Sequence, residues 1–160
     1  MTRRRWRGLD FVSILLLVGG VVGCSGGGDN HEGHPATGAC VLVGEQEPND
    51  TPLTAQFLGA LVVGDCVAVA GSLFDPADVD SYRVVIDAPL RLVVTLDHSP
   101  VVDFDVQVVE AESGQLILDC GSNVVPEVCV VPFAAGGATV DIVITSVVGA
   151  GTYTLTLDAQ

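Results

Sequence analysis

The sequence contains no lysine, and four of its six basic residues, Arg3, Arg4, Arg5 and Arg7, fall within the first seven positions. Beyond them only Arg83 and Arg91 carry positive charge, too few to displace counterions from a phosphate backbone, so nucleic-acid binding is disfavoured. Aromatic residues are scarce at 5%, and the single tryptophan is Trp6. Tyr82 and Tyr153 are the only tyrosines, and no aromatic platform for a sugar is apparent. No long stretch carries helical periodicity, which excludes a helical bundle. Cysteines never occur as C-x-x-C, which argues against a zinc site. One histidine, His98, lies beyond the N-terminal segment, in Asp97-His98-Ser99-Pro100. Adjacent residues cannot converge as a triad does, so His98 reads as a loop residue and no catalysis is expected.

What is present begins with an address. The arginine cluster precedes an apolar run from Phe11 to Val22, which reads as a secretory signal over residues 1–23. As a helix that run would reach roughly 18 Å, short of the roughly 30 Å bilayer core, so a lasting transmembrane anchor is not expected. Val21-Val22-Gly23-Cys24 resembles the bacterial lipoprotein lipobox. That resemblance implies acylation of Cys24 as the mature N-terminus and a membrane anchor through its lipid. Ser25 follows, where an aspartate commonly retains lipoproteins in the inner membrane. The expected location is the cell envelope, at the outer membrane if the cell is Gram-negative. After removal of the signal two arginines face nineteen carboxylates, a net charge of −17. Such a surface suits cation binding, solubility outside the cell or a saline habitat.

Residues 24–39 are polar and glycine-rich and read as a flexible tether, because they cannot bury enough apolar surface to offset ordering entropy. His31 and His34 flank Glu32 there, but a useful metal site needs further rigid ligands, so this is read as linker.

Residues 40–160 are enough for one core. Cys66–Ala70, Tyr82–Ile86, Leu90–Leu96, Phe104–Val109, Leu116–Leu118, Val128–Val131, Val140–Thr145 and Tyr153–Leu157 are rich in β-branched residues with turn residues between them. Eight short strands in a row predict an all-β fold, a jelly-roll-like antiparallel sandwich. In Asp103-Phe104-Asp105-Val106-Gln107-Val108 the alternation turns Phe104, Val106 and Val108 inward and Asp103 and Asp105 outward, as a solvated strand face with a second cation site as the alternative. At most Asp50-Thr51-Pro52 opens a short helical turn, capped by Asp50 or Asn49. Four cysteines remain after Cys24, and export predicts two disulfides with three possible connectivities. Gly121 to Pro126 reads as a hairpin connection, which pairs Cys120 with Cys129 and leaves Cys40 with Cys66. Each closure stabilises by roughly 3 kcal/mol on the loop-entropy model.

Two acidic segments stand out, Glu45-Gln46-Glu47-Pro48-Asn49-Asp50 and Asp78-Val79-Asp80-Ser81-Tyr82. Calcium takes six to eight hard oxygens, and these segments offer five carboxylates and an amide if the chain brings them together. The competing reading is an ordinary cap at Asn49-Asp50 and an ordinary turn at Asp75-Pro76-Ala77-Asp78.

Those segments, with Ala55, Gly71-Ser72-Leu73, Asp103-Phe104-Asp105 and Gly151-Thr152-Tyr153-Thr154-Leu155, resemble the bacterial pre-peptidase C-terminal domain over residues 43–158. That family is a β-sandwich usually appended to secreted proteases and is similar to the collagen-binding domains of clostridial collagenases, whose equivalent segments bind calcium. The resemblance implies Glu45, Glu47, Asn49, Asp50 and Asp80 as side-chain ligands of Ca2+, and the backbone carbonyl of Ser81 as a further one. Ala77 stands where the collagenase pattern has an aspartate, so either Asp78 substitutes or the site is weaker or absent. The expected function is a non-catalytic, membrane-anchored module that binds an extracellular polymer or protein, with structural calcium. A purely structural envelope lipoprotein and an accessory subunit of a secreted hydrolase are the alternatives.

Overall fold

A computed structural model describes residues 39–122 and 124–160. The signal, the tether, Cys24, His31 and His34 lie outside the described residues. The strands are β1 (Val41–Gly44), β2 (Gln56–Leu61), β3 (Cys66–Leu73), β4 (Val79–Ile86), β5 (Leu90–His98), β6 (Asp103–Glu110), β7 (Leu116–Asp119), β8 (Glu127–Phe133), β9 (Ala138–Val148) and β10 (Gly151–Ala159). They form two five-stranded sheets, ordered β1-β3-β10-β5-β8 and β2-β4-β9-β6-β7. Only β6 and β7 are sequence neighbours within one sheet, and every other connection crosses between the sheets.

All eight expected strands are present, and two more precede them. Short β1 has four residues, from just after the first disulfide cysteine to a glycine, which hides its pattern. In β2, Gly59 adopts φ of 115° and the register shifts between Phe57 and Gly59, so the alternation that marks a strand is broken by a bulge. Both new strands pair in parallel, β1 with β3 and β2 with β4, so each otherwise antiparallel sheet gains a parallel strand at one edge.

The core follows from period-two alternation. Leu90, Leu92, Val94 and Leu96 of β5 face Phe104, Val106 and Val108 of β6 and Val84, Ile86, Ile142 and Ile144 of the same sheet as β6, all buried. Leu155, Leu157 and Ala159 extend this layer along β10.

The two cysteine pairs stand at disulfide distance, with Cα separations of 4.5 Å for Cys40–Cys66 and 5.7 Å for Cys120–Cys129. The first ties the start of β1 to the start of β3. The second is not a hairpin staple as expected, since β7 and β8 lie in different sheets. It closes a crossing from one sheet to the other.

Register sorts the connections into two ends. Gly151 pairs with Leu73, Tyr153 with His98, Leu96 with Glu127 and Asp103 with Val148. Residues 45–55, 74–78, 99–102, 120–126 and 149–150 therefore cluster at one end, here the loop end. Turns 62–65, 87–89, 111–115 and 134–137 lie at the other, where the chain enters at Cys40.

Candidate metal centre

Residues 45–55 form a strap that leaves the edge of one sheet at β1, crosses the loop end and joins the other sheet at β2. Beside it, residues 74–78 make the same crossing from β3 to β4. Two sheet-to-sheet crossings thus run together, which brings the two acidic segments into contact.

Backbone bonds set the strap first. The Glu45 N–H donates to the Ala70 carbonyl at 3.2 Å, and the Ser81 N–H donates to the Asn49 carbonyl at 3.0 Å. Its far side is clamped by Arg83, which grips buried Asp141 through two nitrogens at 2.7 and 2.8 Å and donates to the Pro52 carbonyl at 2.8 Å. Within the strap Thr51 to Thr54 form the turn, and it is the Thr54 hydroxyl that accepts the Thr51 N–H at 3.1 Å. The expected cap by Asp50 or Asn49 is not made, because Asn49 turns inward and is fully buried.

The side chains then converge. Glu45 accepts the Ser72 N–H at 3.0 Å with one oxygen, and the Tyr82 and Tyr153 hydroxyls at 2.9 and 3.2 Å with the other. Those hydroxyls are 2.6 Å apart, and Tyr153, whose single proton these contacts share, also reaches Asp80, which is fully buried. Asn49, with its amide oriented to satisfy both acids, gives its side-chain nitrogen to Asp80 at 3.0 Å and Glu47 at 2.7 Å. Its own N–H also donates to Glu47, at 2.9 Å. Asp78 is held by its loop, accepting the Phe74 and Val79 N–H groups at 2.6 and 3.0 Å.

Carboxylate oxygens of Glu45, Glu47 and Asp80 lie within 4.8 Å of one another, and so do those of Glu47, Asp50 and Asp78. Glu47 belongs to both trios. The outer trio lines an open groove of about 520 Å³ together with Phe74, Asp75 and Ala77. All five expected carboxylates are therefore brought together, and Ala77 sits beside Asp78 at the groove. Asn49 presents nitrogen to the acids, and Ser81 joins the strap through its N–H.

Burial favours the protonated form of two of these carboxyls. Burial, and then the hydrogen bond to Glu45, push Asp80 up to about 8, with Tyr153 acting against them. Burial raises Glu47, followed by Glu45, Asp78 and Asp50 around it, against the lowering bond from Asn49. Tyr82 and Tyr153 are raised by burial before any other cause. The Tyr153 ring lies over Gly71, where an added Cβ would meet ring atoms at 2.5 Å, so Gly71 makes room for the network.

A second acidic group gathers Asp103, Asp105 and Glu127, again within 4.8 Å. Asp103 and Asp105 are not the freely solvated face expected. Asp105 lies against Gly121, where an added Cβ would come within 2.6 Å of its carboxyl carbon, and both aspartates are half-buried. Glu127, absent from the expected site, is buried and fills a gap in the second sheet. There β7 has ended, the Cys120 N–H reaches the Val106 carbonyl at 3.1 Å, and Glu127 takes the Val106 N–H at 3.2 Å and the Ser122 N–H at 2.7 Å.

His98 is not a loop residue. It ends β5, faces the core against Phe104 at a ring distance of 5.1 Å, and its Nδ1 lies 3.1 Å from the Ser99 carbonyl. Asp97 and Ser99 on either side are exposed, so the three side chains do not converge. Sequence reasoning also gave no role to Tyr82, Tyr153 or Arg83. The tyrosines lie in Asp78-Val79-Asp80-Ser81-Tyr82 and Gly151-Thr152-Tyr153, but nothing local shows that the two hydroxyls meet.

The fold and the strap define a class: a β-sandwich whose N-terminal strap carries a buried acidic network. The pre-peptidase C-terminal domain of a collagenase from Bacillus anthracis shares this fold, with a TM-score of 0.55 at 13% identity over 71% of this chain and 100% of that one. A periplasmic inhibitor of g-type lysozyme from Aeromonas hydrophila is also similar, with a TM-score of 0.51 at 14% identity over 66% of this chain and 97% of that one. No family model matches the chain, and no curated protein matches it in sequence.

Proposed function

We propose that this chain is a non-catalytic extracytoplasmic binding or accessory module, held at the cell envelope by acylation of Cys24, in which calcium fixes the strap. The observation that carries the calcium reading is Glu47's place in both trios, which makes the five carboxylates one continuous cluster. The donor set fits: it is oxygen only and comes from two loops, as calcium prefers. Glu45, Glu47 and Asp80 would hold an ion in the inner position, with Asp50 and Asp78 extending the cluster outward. A dication there would take the place of the proton on Asp80 and the mutual repulsion around Glu47. Asp78 would stand in for the missing carboxylate at Ala77. The Ser81 carbonyl, and the Asn49 amide once turned over, would complete the shell.

An accessory role beside a hydrolase is the second reading. It is favoured by the neighbours themselves, one a domain of a collagenase and the other an inhibitor of a lysozyme.

Thermal unfolding with calcium and with chelator, together with calorimetric titration, tests the ion. At a calcium concentration a hundredfold above Kd the stabilisation is about 2.7 kcal/mol, a rise of roughly 10 °C in Tm, and Glu47→Gln removes it. An unchanged Tm with no heat of binding would sink the calcium reading.

A further inference from the structure

Each sheet has two edge strands, and three of the four edges are guarded against pairing. A bulge at Gly59 breaks β2, a register shift between Val108 and Val109 disturbs the pairing of β7, and β8 carries Pro132. The fourth edge, β1, reads Val41-Leu42-Val43-Gly44 and has no charge, no proline and no bulge. Only its shortness limits it.

The free side of β1 follows from its ladder. It pairs with β3 in parallel, and the Glu45 N–H donates to the Ala70 carbonyl, so alternate residues turn their main-chain groups toward β3. The N–H and carbonyl groups of Leu42 and Gly44 therefore point off the edge. One position there is filled from within the chain: the Gln56 carboxamide donates to the Gly44 carbonyl at 3.0 Å and accepts the Gln46 N–H at 2.9 Å. A residue of a neighbouring parallel strand makes the same two bonds. One step back along β1, the Leu42 carbonyl and the Gly44 N–H offer the same pair of groups with no partner among the described residues.

Beside that position lies an apolar groove of about 350 Å³ between the two sheets, lined by Val41, Val43, Leu58, Ala60, Leu61 and Val67. Val43 packs against the core, whereas Leu42 faces out and is 84% exposed. On an added strand, the residues paired with Val41 and Val43 would point their side chains the same way as those valines, into the groove. Asp65 also lines the groove, at the end where β1 starts, and no cation among the described residues pairs with it.

We propose that the β1 edge takes up an extended segment of another protein, added parallel to β1, with two β-branched side chains in alternation and a basic residue ahead of them. Main-chain bonds to Leu42 and Gly44 would supply affinity, and the groove would select the side chains, with the basic residue beside Asp65. A second copy of this chain does not fit. Pairing β1 with itself about a twofold axis is antiparallel, needs the Gly44 carbonyl that Gln56 occupies, and sets together two chains of formal net charge −14. The chain's own residues 25–38 hold one β-branched residue, Thr37, too close to β1 to return along it in parallel. The inference rests on the binding-module reading and needs neither acylation nor calcium.

The test uses the purified full-length Cys24→Ser chain and a fluorescent Lys-Thr-Val-Thr-Val-Gly peptide, followed by anisotropy. The peptide binds, and methylating the main-chain nitrogen of its second valine, the donor to the Leu42 carbonyl, weakens binding about tenfold. Glutamate in place of the lysine weakens it as well. Leu42→Pro deletes an N–H that makes no bond to β3, so an unaltered melting curve shows that the variant folds, and it too binds the peptide less tightly. Equal binding of the methylated and unmethylated peptides overturns the proposal whether or not Leu42→Pro folds. Full binding by a folded Leu42→Pro overturns it, and so does sedimentation of the protein alone as a dimer that Leu42→Pro abolishes, which would give the edge to a second copy. No binding by the parent peptide overturns it too, while a calcium-dependent Tm in the same preparation would leave the calcium-fixed module standing.

Discussion

The molecule carries two acidic clusters built in opposite ways. Glu127 brings its charge to backbone donors, the Val106 and Ser122 N–H groups, and in doing so completes an interrupted sheet edge. Around Glu45 and Asp80 the acceptors outnumber the protons: two tyrosine hydroxyls serve four contacts among Glu45, Tyr82, Tyr153 and Asp80. A buried carboxylate with its own N–H donors is a structural part, whereas one that leans on other acids needs a proton or a cation from outside. Separation within 4.8 Å is common to both clusters, so proximity alone does not distinguish an ion site from a strut.

The sharpest way to break this contrast is to remove the strut. Glu127→Ala leaves the buried Val106 N–H without its partner and should cost about 2 kcal/mol, equally in calcium and in chelator. Denaturant unfolding measures it, and a loss that calcium restores would put an ion at Glu127 after all.

Next comes pH. A carboxyl raised in the folded state keeps its proton there after the unfolded chain has lost its own, so between the two values the folded state binds more protons. Stability then falls as pH rises. With chelator, Asp80 should therefore lower stability progressively from about pH 4, the ordinary carboxyl range, to about 8. Calcium should flatten that slope by displacing the proton. Glu127, raised chiefly by burial, adds a slope of the same sign that calcium leaves in place. Melting curves across pH in both conditions separate the two, and identical slopes would erase the distinction.

The smallest effect belongs to Asp105. It is raised by burial and then by Asp103 and Asp119, and its carboxylate accepts no hydrogen bond among the described residues, so Asp105→Asn should stabilise by no more than about 0.5 kcal/mol. Chemical denaturation would detect a loss if the carboxylate were instead holding an ion.

Spacing carried the first cluster into view because its residues are bunched in two short segments. Glu45, Glu47, Asp50, Asp78 and Asp80 could be gathered by assuming one crossing, and two crossings do lie side by side. Glu127 could not be found that way. Its role depends on β7 ending one residue before Cys120, opposite an inward position of β8, and no local pattern states that. Cysteine parity and a hairpin read at Gly121 to Pro126 led to Cys120–Cys129, and the pair stands at disulfide distance although the hairpin failed. Short separation says nothing about which sheet each cysteine joins. The strong alternation of β5 and β6 was readable throughout, and the bulge at Gly59 hid β2 for the opposite reason.

The Cys40–Cys66 bridge also decides how the domain bears tension. A pull on the chain ahead of Cys40 passes through the sulfur atoms directly into β3, which is hydrogen-bonded on both sides, to β1 and β10. Residues 41–65, which include the strap and its acids, are bypassed and lie outside the load path. A protein tugged from that end would therefore keep its strap in register while the force ran through the middle of the sheet.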